Sequence, residues 1–70
     1  MNNIRKEKDR IKEKIKSLSE QNGVNYWDLI IDLEREPDSP SRKIIEELLL
    51  EMDKDGEIYY PKAGKIEVIQ

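Results

Sequence analysis

Apolar residues recur at helical spacing in three stretches of the chain and alternate with polar ones in a fourth. Ile4, Ile11, Ile15 and Leu18 fall on one narrow stripe, which predicts a helix over about residues 4–21. Lys8 interrupts the stripe, so the first turns are expected to pack poorly. Glu7/Arg10, Asp9/Lys12, Arg10/Glu13 and Glu13/Lys16 are opposite charges three apart, each pair worth about 0.3 kcal/mol on a helix surface. Asn22-Gly23 is a stop signal, since glycine is free to take the left-handed cap. Val24 then reads as a strand of one or two residues. Asn25 is a good N-cap for a second helix over about 26–35, with Asp28 favouring its positive end. Tyr26, Leu29, Ile30 and Leu33 form the core face of that helix. Trp27 and Ile31 stand four apart on a flank outside it. In so small a domain they read first as further core, with a partner-facing patch as the alternative.

Glu36-Pro37-Asp38-Ser39-Pro40 breaks the pattern, because Pro37 biases Glu36 out of helical geometry. Ser39 reads as the next N-cap with Pro40 at the first helical position, giving a third helix over about 40–54. It would bury Ile44, Ile45, Leu48, Leu49 and Met52. The opposite ridge carries Lys43, Glu47, Leu50 and Lys54, with Glu46 beside it. Asp55-Gly56 ends the helix. From about 57 to 69 two alternating runs flank Lys62-Ala63-Gly64, which suits a type I turn with glycine left-handed. That register opposes Tyr60 to Ile66, Tyr59 to Glu67 and Ile58 to Val68. Ile58, Tyr60, Ile66 and Val68 then share the buried face. Lys62 and Lys65 would sit at the tip. Helix, short strand, helix, helix and C-terminal two-stranded hairpin is the order of a winged helix-turn-helix, an α+β fold. Residues 1–70 read as one such domain.

Composition narrows the function. The chain has 70 residues, no cysteine and no histidine. That removes disulfides, thiolate metal sites and the usual general base and zinc ligand. No apolar run approaches the ~20 residues that span a bilayer, and the charged N-terminus does not read as a signal peptide. A soluble, intracellular, monomeric domain is expected. The net charge of −3 is uneven: residues 1–18 carry seven Lys/Arg against three acids, and residues 19–56 four against eleven. The first helix is a basic rod on an acidic body. Its basic run reads first as a solvated face, and otherwise as a contact for nucleic acid or an acidic partner.

Chemical motifs are few. With Glu51 as position one, Asp53-Lys54-Asp55-Gly56 imitates a calcium loop, but position twelve is Lys62 where a bidentate glutamate is needed. Gly64-Lys65 imitates the end of a phosphate loop, but Tyr59 stands where the first glycine belongs and Ile66 replaces Ser/Thr. No catalytic, cofactor-binding or metal-binding residue is expected. The third helix is where a helix-turn-helix protein reads the major groove. Here that face has no Asn or Gln for adenine, only Arg42 as a marginal reader of guanine, and Glu46 and Glu47 that would repel phosphates.

The tail Gly56-Glu57-Ile58-Tyr59, Pro61, Gly64, Ile66 and Ile69 resembles the C-terminal wing of archaeal minichromosome maintenance (MCM) replicative helicases. There a G-x-I-Y-x-P-x-x-G-x-hydrophobic ending recurs. Ile44-Ile45-Glu46-Glu47-Leu48-Leu49 and the basic first helix also look like that domain, so the resemblance runs from about Arg5 to the end. It implies a non-catalytic, chromosome-associated module. Such a module modulates ATP hydrolysis and unwinding by the parent helicase motor through contacts with the motor or with replication initiator proteins. At most it touches DNA weakly. The parent would be the ATP-dependent enzyme. Trp27, Ile31 and Leu50 are the candidate protein contacts. The alternative is a small DNA-binding winged-helix transcription regulator, touching DNA through Arg42, Lys43, Lys62 and Lys65.

Overall fold

The computed structural model describes residues 4–19 and 21–69. Three helices, α1 (Ile4–Leu18), α2 (Tyr26–Glu34) and α3 (Arg42–Lys54), pack with three strands, β1 (Val24–Asn25), β2 (Ile58–Tyr59) and β3 (Lys65–Val68). The strands form one antiparallel sheet in the order β1-β3-β2, and the whole is a small α+β domain. Among the described residues no helix is long and apolar enough to cross a membrane.

β3 is shared end to end. Its first half pairs with β1, Val24 opposite Ile66 and Asn25 opposite Lys65. Its second half pairs with β2, Ile58 opposite Val68 and Tyr59 opposite Glu67. The β2–β3 register is thus the one that alternation and Gly64 predict. Tyr60 departs from expectation. Ile66 finds Val24 across from it instead, β2 stops at Tyr59, and Tyr60 is 40% exposed rather than buried. Pro61, which cannot donate to a ladder, follows directly. The connection turns at Lys62–Lys65, where the Lys65 N–H donates to the Lys62 carbonyl at 3.0 Å. Gly64 takes φ +78° as the residue before Lys65, so glycine sits third in a four-residue turn. The Tyr26 N–H donates to the Gly64 carbonyl at 2.8 Å and ties the loop to the start of α2.

The helices differ from expectation at their ends. α1 stops at Leu18, short of Gln21, and Glu20 lies outside the described residues. Ser19 turns off to give its hydroxyl to both carboxylate oxygens of Glu67 on β3, at 2.7 and 2.9 Å. Gly23 is therefore no helix cap. Its φ of +86° and missing Cβ let the backbone pass against the Ile66 carbonyl. α2 ends at Glu34 with Arg35 as its cap, and Asn25 caps its start, accepting from the Trp27 and Asp28 N–H groups. α3 begins two residues later than expected. The Ser39 hydroxyl donates to the Pro40 carbonyl, and Ser41 is the N-cap, accepting from the Ile44 N–H. Two serines flank Pro40, and local propensity alone does not choose between them.

The core joins Ile11 and Ile15 of α1, Leu29, Ile30 and Leu33 of α2, Ile45, Leu48, Leu49 and Met52 of α3, and Val24, Ile58, Ile66 and Val68 of the sheet. Leu18 and Tyr26 pack at its margin. Ile44 does not join it: at 43% exposed it faces out beside Ile4, also exposed, at the end of α3 nearest the first turn of α1.

α1 is seated by charge where its apolar stripe fails. Lys8 pairs with Glu51 and Asp55, Lys12 with Glu57, and Lys14 with Asp32 and Glu36 at 2.9 and 3.0 Å. Arg10 reaches Glu36 at 3.2 Å. Of the four expected pairs within α1, Glu7/Arg10 forms, at 2.8 Å, while Lys12 is drawn across the domain instead. Four cations of the basic rod, Lys8, Arg10, Lys12 and Lys14, are set against acids outside α1, while Arg5, Lys6 and Lys16 stay exposed. Hydrogen bonding from Lys12 lowers the Glu57 pKa, and the hydrogen bonds that Lys8 and Lys14 donate to Glu51 and Asp32 raise the pKa values of the two lysines. A carboxylate with a depressed folded pKa stabilises fully above its unfolded pKa and loses that contribution as pH falls through the folded value. A lysine with a raised pKa does the reverse at alkaline pH. Glu57→Gln is therefore expected to flatten the fall in melting temperature below the ordinary glutamate pKa. Parallel acid melts of wild type and variant, superimposing through that range, would show that the pair contributes nothing. These groups are solvent-exposed, so the effect is small and salt-screened.

Candidate interaction surface

The described residues include no cluster of three or more His, Cys, Asp or Glu arranged for a metal ion. What they offer is surface, of two kinds.

The first is basic. Arg42 and Lys43 open α3, and both are exposed. Arg42 is engaged: its Nε and Nη2 donate to Glu34 Oε1 at 3.3 and 2.9 Å, and that hydrogen bond raises its pKa further. The candidate guanine reader is held by a carboxylate of α2. Lys62 and Lys65 close the turn between β2 and β3. Lys62 is exposed. Lys65 is half-buried, and lines a depression that also contains Asp28, Asp32 and Arg35. The two lysines are brought together, but only Lys62 projects freely.

The second kind is apolar. Leu50 is 67% exposed at the middle of the outer ridge of α3. Trp27 is 54% and Ile31 46% exposed. The expectation that these two belong to the core is corrected: Leu29, Ile30 and Leu33 already fill the space beneath α2, and Trp27 and Ile31 stay half in solvent on its flank. The three candidate contacts do not form one cluster. Ile31 borders the depression near Lys65. Trp27 joins two rings that sequence placed in the core. It meets Tyr26 edge-on, centroids 5.2 Å apart at 87°, and Tyr26 meets Tyr60 at 6.4 Å and 39°. The row runs from the start of α2 to the end of β2. Pro61 was the sequence signal for it, because a strand that stops before proline frees Tyr60 to turn outward.

Burial, with the Tyr60 ring and Glu46 adding to it, raises the Tyr26 pKa, and burial with Asp53 raises that of Tyr60. Leu50 is four residues after Glu46 and three before Asp53, on one ridge of α3. Comparison with protein-family models, curated proteins and solved structures gave no match, so the surface is read from its own chemistry.

Proposed function

We propose that the chain is a non-catalytic winged-helix module that regulates a DNA replication helicase of the MCM type by contacting protein, with at most weak contact to DNA. The element order and the β1-β3-β2 sheet are compatible with that fold. The resemblance of the Gly56–Ile69 tail supplies the helicase context, and with it an intracellular, chromosome-associated place. One observation carries the mode of action. The ridge of α3 that would enter a major groove presents Leu50 between Glu46, Glu47 and Asp53, while Arg42 is tied to Glu34. Phosphates are repelled there, and an apolar residue is offered. Partners would be the parent motor or an initiator protein, met by an isolated module that is itself monomeric.

The pair Lys62 and Lys65 at one turn favours the second reading, a DNA-binding regulator using its wing. Anisotropy of labelled single-stranded, duplex and forked DNA separates the two. No saturable binding at micromolar protein is expected, even at low salt. Micromolar binding that weakens steeply with salt and is lost in Lys62→Glu/Lys65→Glu would overturn the protein-contact reading, because phosphate contacts impose that salt slope.

A further inference from the structure

We propose that the first two turns of α1, Ile4 to Arg10, form a flap that opens and closes over the N-terminal end of α3 while the rest of the domain stays folded. Charge holds the flap shut, so salt opens it. Opening uncovers Ile44 and Leu48. The device does not depend on which partner the domain meets.

The burial pattern sets the hinge. Ile11 is the first buried residue of α1, and Ile15 follows on the same face. Every residue from Ile4 to Arg10 is exposed or half-buried. The helix after the hinge is anchored by apolar burial, and the helix before it is not. α1 packs mainly on β3 and α2, and its approach to α3 is sparse. Two helical turns gain too little from their own hydrogen bonds to persist alone, so this segment depends on what it touches.

What it touches is carboxylate. Lys8 meets Glu51 and, at 3.9 Å, Asp55, while Arg10 meets Glu36 at 3.2 Å. These acids keep between 30% and 55% of their side-chain surface in water, within reach of screening ions. Apolar closure is incomplete. Ile4 and Ile44 line one depression with Glu7, Glu47, Leu48 and Glu51, yet both remain largely exposed. On the other flank Ile4, Arg5 and Lys8 line a second depression with Asp55 and Glu57. The first turn lies between two open grooves and is tied down by Lys8. Leu48 is the core residue that shares a groove with Ile4 and Glu7, so it gains water when the flap lifts.

Amide hydrogen exchange followed by NMR on the whole chain reads the flap. In a regular helix the N–H groups of Lys8, Asp9 and Arg10 donate to the carbonyls of Ile4, Arg5 and Lys6, and so report it. Those of Ile15 and Lys16 report the anchored half. At fixed neutral pH and low salt, the flap amides are expected to be roughly tenfold less protected than the anchored ones. Sodium chloride raised from about 20 mM to about 0.5 M should speed flap exchange a further threefold or so, and shift the Ile44 and Leu48 methyl resonances in step. Lys8→Gln, and separately Glu51→Gln/Asp55→Asn, should speed it similarly at low salt and remove most of the salt response. These side chains lie outside the core, so near-native melting confirms that the variants fold. Lys16→Gln makes the same charge change at an exposed residue that meets no acid among the described residues, and should leave flap exchange as it was. Equal protection of the two halves would show that α1 opens as one unit and overturn the proposal. So would a flap rate indifferent to salt, or an equal response to Lys16→Gln.

Discussion

Leu49→Ala is expected to lower the stability of the domain by about 2–5 kcal/mol, enough to leave it largely unfolded at room temperature. Leu49 is fully buried among residues of every layer. Its removal takes away transfer free energy and leaves a cavity that neighbours from three helices and a sheet can close only in part. A domain of this size has roughly 3–5 kcal/mol in total. Leu50→Glu, one position along, should leave the urea midpoint almost unchanged, because that side chain is mostly in water. Urea titrations of the two variants give the measurement. A near-native midpoint for Leu49→Ala, or a large loss for Leu50→Glu, would mean that α3 is rotated about its axis from the orientation described.

Gly23→Ala is expected to cost about 3 kcal/mol, three times as much as Gly64→Ala. Both glycines have positive φ, +86° and +78°, where a Cβ costs about 1–2 kcal/mol. They differ in what surrounds them. A Cβ at Gly64 meets nothing within 4 Å, whereas one at Gly23 would stand 2.4 Å from the Ile66 carbonyl oxygen. That oxygen is backbone and cannot turn aside. Relief requires β3 to move away from β1, which weakens the Val24–Ile66 pairing. Denaturant midpoints at constant slope compare the two variants. Equal losses would show that the strand yields without cost.

The sequence carried the elements well and the exposed surface poorly, for a common reason. Apolar spacing located three helices, and glycine with alternation located the β2–β3 register, because each of these signals is local. Asn25 as N-cap and Leu50 as an outward residue were legible on the same terms. What failed depended on a distant partner. Tyr60 alternates as an inward residue, but Val24, far away in sequence, takes the place opposite Ile66. Lys8 reads as a defect in a stripe, and Glu51 and Asp55 turn it into an attachment. Gly23 reads as a helix cap, and its use is to pass a strand. Ile44 and Trp27 belong to faces that pattern alone assigns to a core, and only the occupied volume beneath them shows that no room is left. The aromatic row inherits these difficulties, since it joins α2 to the end of β2 across more than thirty residues of chain.

The sharing of β3 between two neighbours also bears on the order of folding. Ile58 and Val68 are ten positions apart, and Val24 and Ile66 forty-two. Closing the longer loop costs about 1 kcal/mol more in chain entropy. The hairpin therefore closes first, and β1 docks onto an edge that already exists. Neither pairing is available until β3 is present. Before Lys65 to Val68 arrive, the chain can hold helices but no sheet, and four residues near its end complete the fold from both sides at once.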